Sequence, residues 1–583
     1  LARTTAVEAG PGTGKTRTLV ERILYMIQEQ RISPAEITAV TFTNRAAGEM
    51  EKRIHSRLPG KRGLKRMKIG TFHSICYRML KETGLKAVLL QESEQLEIAE
   101  EVICELGLKQ KPSQLLEEIS RQKTGERVVC EDGADGLEQA CRRYQERLEE
   151  LNGMDYDDIL LKAVKALEEG KMDEKPFRYL LVDEFQDVSS LQYRLIRLMN
   201  RRGRQLFVIG DPDQSIYGFR GSDSRIFERL SRDEPELCRI RLEENYRSSG
   251  HIVHVARELI RHNPGPERGL WTRKEAGTPL RLVSAASEMS EAIFAAKEIN
   301  RMVGGIDMLD AQEGFGPSEE KKTRSFGDIA VIYRTHRQGE LLERCLCQEG
   351  IPYIVAGREE FLQADSVRGS LSFFSCLAGE ESQLTRPLCR KLLWKDREPE
   401  DGEWEQLTAE FLPLYQKQKP GKFLEAWVRR MGFQEDGPME KFCSMAPFYR
   451  TMKEMAEAVR YGGESDLKRC GQKTYASDAV TLTTIHGAKG LEFPAVILFG
   501  ARKGLIPLET KRGETDEEEE RRLFFVGVTR AMEELVITSS KEPSVFLAEL
   551  PKEDRLSEQT GRREKKGQEH QMSLFELDPS FGK

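Results

Sequence analysis

The segment from Ala9 to Thr16 (AGPGTGKT) constrains the fold of this chain more than any other feature, because it joins closely spaced glycines to a Lys-Thr pair. Glycines at this spacing let the backbone curl so that its N–H groups point at phosphate oxygens, and a helix that begins directly behind them favours negative charge. In such a loop Lys15 binds the β- and γ-phosphates, and the Thr16 hydroxyl holds Mg²⁺. The predicted phosphate-binding residues are Ala9, Gly10, Pro11, Gly12, Thr13, Gly14, Lys15 and Thr16.

A pair of acidic residues supplies the second half of a hydrolytic site. Asp183 and Glu184 directly follow the apolar run Tyr179 to Val182, so they emerge at the carboxyl end of a buried strand, where α/β sheets place their ligands. At that edge Asp183 would orient the magnesium ion and Glu184 would polarise the attacking water. A phosphate-loop pattern alone matches many unrelated chains, but the two patterns together predict a nucleoside triphosphate hydrolase.

The length and composition of the chain limit its possible architectures but do not indicate a particular function. A chain of 583 residues is too long for one core and should divide into several domains. Its 91 basic and 97 acidic residues leave a net charge of −6, so nucleic-acid binding would need the positive residues gathered in one groove. No apolar run reaches membrane-spanning length, and the 11 cysteines include no C-x-x-C pair. These features favour a reduced, cytoplasmic protein without a membrane partner, zinc or an iron–sulfur cluster.

Alternating strand and helix patterns indicate two parallel-sheet units. Two charged helical stretches without motifs interrupt these units. The predicted division is a first α/β domain (1–84 and 151–249) with a helical insertion (85–150), a second α/β domain (250–366 and 474–546) with a short helical insertion (367–473), and a disordered tail (547–583).

Six further motifs follow one another along the chain. They are TFTNRAAGEM (41–50), GTFHSI (70–75), VIGDPDQSIYGFRG (208–221), LEENYRSS (242–249), TTIHGAKGLEFP (483–494) and EEERRLFFVGVTRAM (518–532). In this order they resemble the motif series of the UvrD/Rep/PcrA group of superfamily 1A DNA helicases, from Val7 to about Thr538. The resemblance implies an α/β fold of two RecA-like parallel-sheet domains, each with a helical insertion subdomain, and ATP as the nucleotide. The second insertion is short for that group, which puts any regulatory role of it in question.

Further residues of the nucleotide pocket follow from the same motifs. Gln214 lies past a strand and an acidic loop, where its amide can sense the γ-phosphate. Arg247 and Arg530 can form bidentate bonds to phosphate oxygens, and if both belong to the second domain they reach the γ-phosphate only when the domains close. The resemblance implies that Tyr246 stacks on the adenine and that Glu492 contacts the ribose or phosphate side.

The sequence departs from that group at the adenine end of the pocket. The group usually begins with a short segment whose Gln reads the adenine edge, whereas only eight residues precede the phosphate loop here and none is Gln. The chain also begins at Leu1 rather than Met. Either an upstream portion is missing or base selectivity is relaxed, and we favour the first interpretation. Arg17 either lies over the base or extends into solvent, two alternatives that the sequence leaves open.

A track for single-stranded DNA is predicted from aromatic and basic side chains that follow strand patterns. Single strands bind by stacking their bases on aromatic rings while cations follow the backbone. Where the related group commonly has Trp, this chain has Phe219, whose smaller ring should hold a base somewhat less firmly. The predicted DNA-contacting residues are Phe42, Asn44, Phe72, His73, Tyr217, Phe219, Arg220 and His486.

These sites together predict an ATP-dependent DNA helicase that steps along single-stranded DNA as its domains close and reopen. The resemblance implies 3′ to 5′ movement, action at single-strand/duplex junctions, and a bacterial, nucleoid-associated role in repair or replication restart. Two alternatives stay open: a translocase that displaces proteins without efficient unwinding, and the motor part of a larger helicase–nuclease. A binding module without ATPase activity is disfavoured, because the catalytic set is intact: Lys15, Asp183, Glu184, Gln214, Arg247 and Arg530.

The C-terminal tail contains a short motif of a different kind. The run Gln571-Met572-Ser573-Leu574-Phe575 resembles the peptide that binds the bacterial sliding clamp, in which a Gln makes polar contacts and a Leu-Phe pair fills an apolar pocket. Apolar residues in an otherwise polar tail call for a binding surface. The clamp is therefore a predicted partner through Gln571, Leu574 and Phe575, and docking on the protein's own body is the alternative.

Overall fold

The computed structural model describes residues 3–61, 63–124, 134–265, 269–304, 323–395, 402–462, 466–471, 478–509 and 515–560. Within these ranges two large, mainly parallel sheets are each covered by helices, which confirms the predicted α/β fold with two RecA-like domains. No helix in the described ranges is both long and apolar enough to cross a bilayer.

The first half of the chain builds the first sheet and a helical insertion. From Thr4 to Leu242 the elements are β1 (Thr4–Ala9), α1 (Lys15–Gln28), β2 (Ile37–Thr41), α2 (Asn44–Arg57), β3 (Lys68–Thr71), α3 (Phe72–Glu82), β4 (Val88–Leu89), α4 (Glu92–Leu106), α5 (Pro112–Thr124), α6 (Ala134–Glu150), β5 (Gly153–Met154), α7 (Tyr156–Glu168), β6 (Tyr179–Val182), α8 (Ser190–Met199), β7 (Gln205–Gly210), α9 (Ile226–Asp233) and β8 (Cys238–Leu242).

Six of these strands form the first sheet of the described chain, in the order β3-β2-β6-β7-β1-β8, and all of them run parallel. Every residue of β2 and β7 is buried, as expected for parallel strands that carry helices on both faces. The phosphate loop follows β1, the Asp-Glu pair follows β6 and the acidic loop follows β7. The sheet order makes β6, β7 and β1 neighbours, so these three strand ends meet at one edge.

The second half of the chain builds the second sheet and its insertion. From Gly250 to Gln559 the elements are α10 (Gly250–Ile260), β9 (Leu280–Ala285), α11 (Glu288–Met302), β10 (Ile329–Tyr333), α12 (His336–Gln348), β11 (Tyr353–Ala356), α13 (Asp365–Leu377), α14 (Thr385–Leu393), α15 (Glu403–Lys417), α16 (Pro420–Met431), α17 (Gly437–Cys443), α18 (Met452–Tyr461), β12 (Lys468–Cys470), β13 (Val480–Thr484), β14 (Phe493–Phe499), α19 (Glu517–Val528), β15 (Ala531–Ser540) and β16 (Arg555–Gln559).

Among the described residues the second sheet has eight strands, in the order β12-β11-β13-β10-β14-β15-β9-β16. All neighbours run parallel except the edge pair β11 and β12, which is antiparallel. The strand β12 lies inside the predicted second insertion (367–473), so the end of that segment belongs to the second sheet rather than to the helical insertion. Three residues are too few to show a period-2 pattern, which is why the sequence did not separate this strand from the helices.

The two helical insertions have cores of their own and contact each other. The first packs α4, α5 and α6 around a small apolar cluster, and the second packs its helices around Trp404, Trp427 and neighbouring rings. Polar contacts join the two: the Lys391 ammonium lies 3.0 Å from the Glu97 carboxylate, and Gln91 Nε2 donates to Ser375 Oγ at 2.7 Å.

The prediction of a disordered tail from residue 547 is wrong for its first part. Residues 552–554 form a 3₁₀ turn, and β16 pairs in parallel with β9 at the edge of the second sheet. The ion pair between Arg281 and Glu558, at 2.8 Å, holds the added strand in register. Residues 561–583, and with them Gln571, Leu574 and Phe575, lie outside the described residues.

Candidate functional site: a nucleotide pocket beside an aromatic cluster

The phosphate loop has the tight curve that its glycines predicted. Gly12 has a φ of 68°, in the left-handed region that favours glycine, and a Cβ at this position would lie 2.7 Å from Asn245 Nδ2. The Lys15 ammonium, at the start of α1, donates to two carbonyl oxygens of the loop at 3.2 and 3.3 Å. The loop, the lysine and the N-terminus of α1 therefore form a concave, positively polarised binding site for the phosphates of a nucleotide.

Carboxylates from the ends of β6 and β7 gather beside this lysine. Lys15 Nζ lies 4.0 Å from Asp211 Oδ2, and Asp183 is buried at the end of β6. Burial raises the pKa of Asp183 to about 7, and the charge of Glu184 adds to the rise. Burial likewise raises the pKa of Asp211 to about 6. A cation bound nearby would stabilise the ionised form of these buried carboxylates. Their oxygen atoms are also the kind of ligand that Mg²⁺ prefers.

Glu184 is held in an unusual backbone conformation next to Asp183. Its φ is 47°, a region that non-glycine residues rarely adopt and that recurs at functional sites. Gln186 Nε2 donates to the Glu184 carboxylate at 2.6 Å, and Gln186 Oε1 accepts from the backbone N–H of Asp211 at 2.9 Å. Burial alone would raise the pKa of Glu184, but the charges of Lys15 and Lys489 hold it below its usual value. The carboxylate is therefore ionised and oriented by Gln186.

Gln214 and Arg530 meet between the two domains. Gln214 Nε2 donates to Asp211 Oδ2 at 2.6 Å, and Gln214 Oε1 accepts from Arg530 Nη2 at 3.3 Å. Arg530 follows α19 of the second domain and is only 1% exposed. Burial, reinforced by the charge of Arg247, lowers the pKa of Arg530 to about 9. A fully buried guanidinium in a phosphate pocket gains strongly from an anionic partner.

The segment 243–249 connects the two domains and carries Arg247. Asn245 Nδ2 donates to the carbonyl oxygen of Pro11 in the phosphate loop at 2.7 Å, whereas Ser248 Oγ donates to that of Ala531 in the second domain at 2.6 Å. Between them, Arg247 Nε donates to Glu492 Oε2 at 2.6 Å. Arg247 therefore sits in the connection itself, rather than in the second domain. The sequence analysis did not predict this contact role of Asn245, although the residue lies in the LEENYRSS motif.

The residues predicted at the adenine end are exposed beside the phosphate loop. The Tyr246 ring is 64% exposed, and its backbone N–H donates to the carbonyl oxygen of Gly12 at 2.9 Å. Arg17 is exposed on the first turn of α1. Glu492 is exposed apart from its ion pair with Arg247. An exposed ring fixed to the phosphate loop through its own backbone is suited to stacking on a base.

Lys489 is a functional candidate that sequence reasoning missed. It lies in the loop after β13 of the second domain, and its ammonium donates to both carboxylate oxygens of Asp187 in the first domain, at 2.6 and 2.7 Å. It also donates to the carbonyl oxygen of Gln214 at 2.6 Å and lies 4.8 Å from the centre of the Tyr217 ring. Lys489 therefore contacts both the nucleotide pocket and the aromatic cluster.

An aromatic cluster, consisting of Phe42, Tyr217, Phe219 and His486, lies next to the nucleotide pocket. Phe42 and Tyr217 stack at 5.3 Å between ring centroids, and the His486 ring meets that of Phe219 edge-on at 5.5 Å. Tyr217 is the buried member of the cluster, whereas Phe219 is 55% exposed. The structure thus brings together four of the predicted DNA-contacting residues, with Phe219 presenting the most open ring face.

Phe72 does not belong to this cluster. Its ring is 5% exposed and packs in the first-domain core with Ile75, Cys76 and Met79, so the prediction that it contacts DNA is wrong. Thr71 explains this placement, because its side chain accepts from the backbone N–H of Ser74 and caps α3, which turns the first residue of the helix inward.

His73 and Asn44, two further predicted DNA-contacting residues, lie in the first turns of α3 and α2. His73, one position on from Phe72, is partly buried, and its ring meets that of Tyr156 at 5.5 Å. Asn44 is exposed at the start of α2, which is capped by Thr43 in the same way. The side chain of Arg220 lies outside the described part of the chain.

A cavity of about 780 Å³ joins the two groups of residues. Thr16, Asp183 and Glu184 line one part of it, and three members of the aromatic cluster, Phe42, Tyr217 and His486, line another together with residues of the helical insertions. The hydroxyl of Thr16 and the carboxylate of Asp183 thus share one cavity, as the predicted magnesium site requires. The phosphate end and the aromatic end of the site are therefore adjacent.

Comparison of the sequence with known protein families supports the assignment of a nucleotide pocket between two domains. The protein-family model for the UvrD/REP helicase N-terminal domain matches residues 1–235. The family model for the UvrD-like helicase C-terminal domain matches residues 240–395 and 436–542. The chain belongs to the UvrD/Rep/PcrA-like group of superfamily 1A helicases. Membership places this UvrD-like protein among ATP-dependent DNA helicases, and the unmatched stretch 396–435 lies inside the second insertion.

Curated relatives extend along nearly the whole UvrD-like chain. The ATP-dependent DNA helicase PcrA of Staphylococcus epidermidis is 28% identical over 642 aligned positions, which cover 96% of this chain and 85% of the relative. PcrA of Staphylococcus aureus is 27% identical, with coverage of 96% and 86%.

Proposed function

We propose that this chain is a Mg²⁺-dependent ATPase that moves 3′ to 5′ along single-stranded DNA and separates strands at single-strand/duplex junctions. Its setting would be the bacterial nucleoid, in DNA repair or replication restart. The observation that carries the proposal is that cations of the second domain bind partners in the first-domain pocket, Arg530 on Gln214 and Lys489 on Asp187. An occupied phosphate site can then control how the domains close.

The pocket residues divide the hydrolytic work among themselves. Lys15 and the loop N–H groups bind the phosphates, and Thr16 and Asp183 would hold the Mg²⁺, which neutralises phosphate charge. Glu184 accepts a proton from the attacking water, since it is ionised and oriented by Gln186. Arg530 and Arg247 approach the γ-phosphate from the far side and stabilise the charge that develops there. Tyr246 stacks on the adenine, and Glu492 contacts the ribose or phosphate side of the nucleotide.

Movement follows from coupling the pocket to the aromatic cluster. Arg530 gains a strong anionic partner only when ATP is present, so the closed arrangement of the domains is favoured by ATP and weakened by hydrolysis. Lys489 moves with the second domain and touches Tyr217, so closure shifts the rings that grip the DNA strand. Repeated closing and opening then steps the protein along the strand.

Replacing Lys489 with Gln tests this coupling. The substitution leaves the buried Asp187 carboxylate without its ammonium partner, so we expect stimulation of ATP hydrolysis by single-stranded DNA to fall by about tenfold or more. The measurement is the steady-state ATPase rate with and without oligonucleotide, together with the melting temperature to check folding. Lys503→Gln, which removes an exposed pair with Glu542, is the matched control. Unchanged stimulation in the Lys489 variant would contradict the coupling.

Phe219 tests the DNA track. Base stacking on an aromatic side chain contributes about 1–3 kcal/mol, so Phe219→Ala should weaken binding of single-stranded DNA by about 5- to 150-fold. Phe219→Trp should strengthen it modestly, because Trp offers a larger π-face. Fluorescence anisotropy with a labelled oligonucleotide measures both. Tyr25→Ala, another half-exposed ring outside the cluster, should bind as the parent does. Equal affinities for all four proteins would remove Phe219 from the track.

An unwinding assay separates the proposed helicase from its alternatives. Efficient unwinding of a naked duplex with a 3′ single-stranded overhang, and not of one with a 5′ overhang, is the expected result. A protein that removes a tightly bound protein from the single strand but leaves the naked duplex intact would instead be a translocase. Cleavage of either strand in the same reaction would indicate the motor of a helicase–nuclease.

The sliding clamp remains a proposed partner through Gln571, Leu574 and Phe575. Loss of clamp binding on replacing Leu574 and Phe575 with Ala, measured by surface plasmon resonance, is the expected result. Undiminished binding would mean that the motif is not the contact.

A further inference from the structure

A cluster of histidine and carboxylate side chains lies outside the nucleotide pocket, where α10 meets the segment before β16. His251 Nδ1 is 2.6 Å from Asp554 Oδ1, and His254 Nδ1 is 2.5 Å from Asp554 Oδ2. The Asp554 carboxylate is only 6% exposed. The two histidines lie about one turn apart on α10, and the fold brings a carboxylate to them from about 300 residues away.

A second carboxylate completes a set of potential metal ligands. One ligand atom each from His254, Glu553 and Asp554 lies within 4.8 Å of the other two. An imidazole nitrogen with two carboxylate oxygens is a donor set that suits Zn²⁺ and similar divalent transition metals. Glu553 and Asp554 bring two carboxylates to the cluster, whose negative charge a divalent cation would balance.

Neighbouring groups are placed to orient these ligands. Glu258 Oε1 lies 3.6 Å from His254 Nε2, so a metal bound at Nδ1 would leave the other nitrogen of His254 facing a carboxylate. His251 donates to the Asp554 oxygen that His254 does not contact. Glu258 is itself held by Arg261 at 2.8 Å and by Arg257 at 3.1 Å, so its charge is already compensated.

We propose that His254, Glu553 and Asp554 bind a divalent transition metal ion of the Zn²⁺ class, with His251 and Glu258 as orienting partners and water completing the coordination. The site joins α10 to the turn 552–554, directly before β16. Metal binding would therefore fasten the edge strand β16 to the body of the second domain. This role is separate from ATP hydrolysis and does not rest on the proposed motor function.

Metal binding by the full chain tests the site. The protein is stripped with a chelator and titrated with Zn²⁺, and its melting temperature and bound zinc are measured. Glu553→Gln and His254→Gln are compared with the parent and with His55→Gln, an exposed histidine that also lies near a glutamate. Because Glu553 is exposed, its variant should fold normally. Co²⁺ spectra distinguish this nitrogen and oxygen site from binding by cysteines, which adds a thiolate charge-transfer band.

The expected result is that the parent and His55→Gln bind one more equivalent of Zn²⁺ than Glu553→Gln and His254→Gln, or bind it at least ~10-fold more tightly. Zn²⁺ should also slow hydrogen exchange in residues 555–559 of the parent and the control only. Equal zinc binding and equal exchange in all four proteins would overturn the proposal and leave the cluster as a set of hydrogen bonds.

Discussion

Replacing Arg530 with Lys is expected to lower kcat for ATP hydrolysis by about 10³-fold or more. The guanidinium lies between the domains, against Gln214 Oε1, and donates to the carbonyl oxygens of Val526 and Leu491 at 2.9 and 3.1 Å. A lysine in its place keeps a positive charge but loses the planar fork that binds two phosphate oxygens at once. The measurement is the steady-state rate of hydrolysis at saturating ATP, with the melting temperature as a check on folding.

Arg522→Lys is the matched control for this prediction. Arg522 lies on α19, a short distance before Arg530, and its Nε also crosses the domain interface, donating to the carbonyl oxygen of Ser215 at 2.9 Å. It takes no part in the phosphate site, so its variant should lose less than about tenfold in kcat. If Arg530→Lys retained kcat within tenfold of the parent, a role for Arg530 at the γ-phosphate would be excluded.

Glu184→Gln is expected to lower kcat by about 10²- to 10⁴-fold while leaving ATP binding nearly intact. The amide preserves the size of the side chain but cannot accept a proton from water. Binding of a fluorescent ATP analogue and the rate of the hydrolytic step, measured separately, distinguish these two effects. Glu49→Gln, a carboxylate that lines the same cavity but pairs with Arg53, should change neither. Weak nucleotide binding by Glu184→Gln would instead point to a role in holding the nucleotide.

The sequence predicted those parts of the site that depend on local patterns. A glycine-rich loop between a strand and a helix, and acidic residues directly after an apolar strand, fix their own geometry through a few neighbouring residues. Lys15, Asp183, Glu184 and Gln214 accordingly meet at one edge of the first sheet, as the order of β6, β7 and β1 requires. The two-domain α/β fold could be predicted for the same reason, because parallel strands and covering helices each leave a readable pattern.

Other parts depended on contacts between distant residues. Lys489 stood within a recognised motif, but its partner Asp187 is 302 positions away, and no local pattern indicates that pair. Phe72 shares helical spacing with Ile75, Cys76 and Met79, which marks the buried face of α3, and this spacing outweighs the suitability of its ring for stacking on a base. The strand β16 was assigned to a disordered tail because its residues RLSEQ are polar, as an exposed edge strand allows.

The rate of ATP hydrolysis with and without single-stranded DNA, measured across a series of salt concentrations, tests the central claim most directly. The account predicts strong stimulation by DNA that declines as salt rises, because cations along the strand path release counterions on binding. Hydrolysis that proceeds at the same rate with and without DNA would contradict the proposed coupling between the nucleotide pocket and the aromatic cluster.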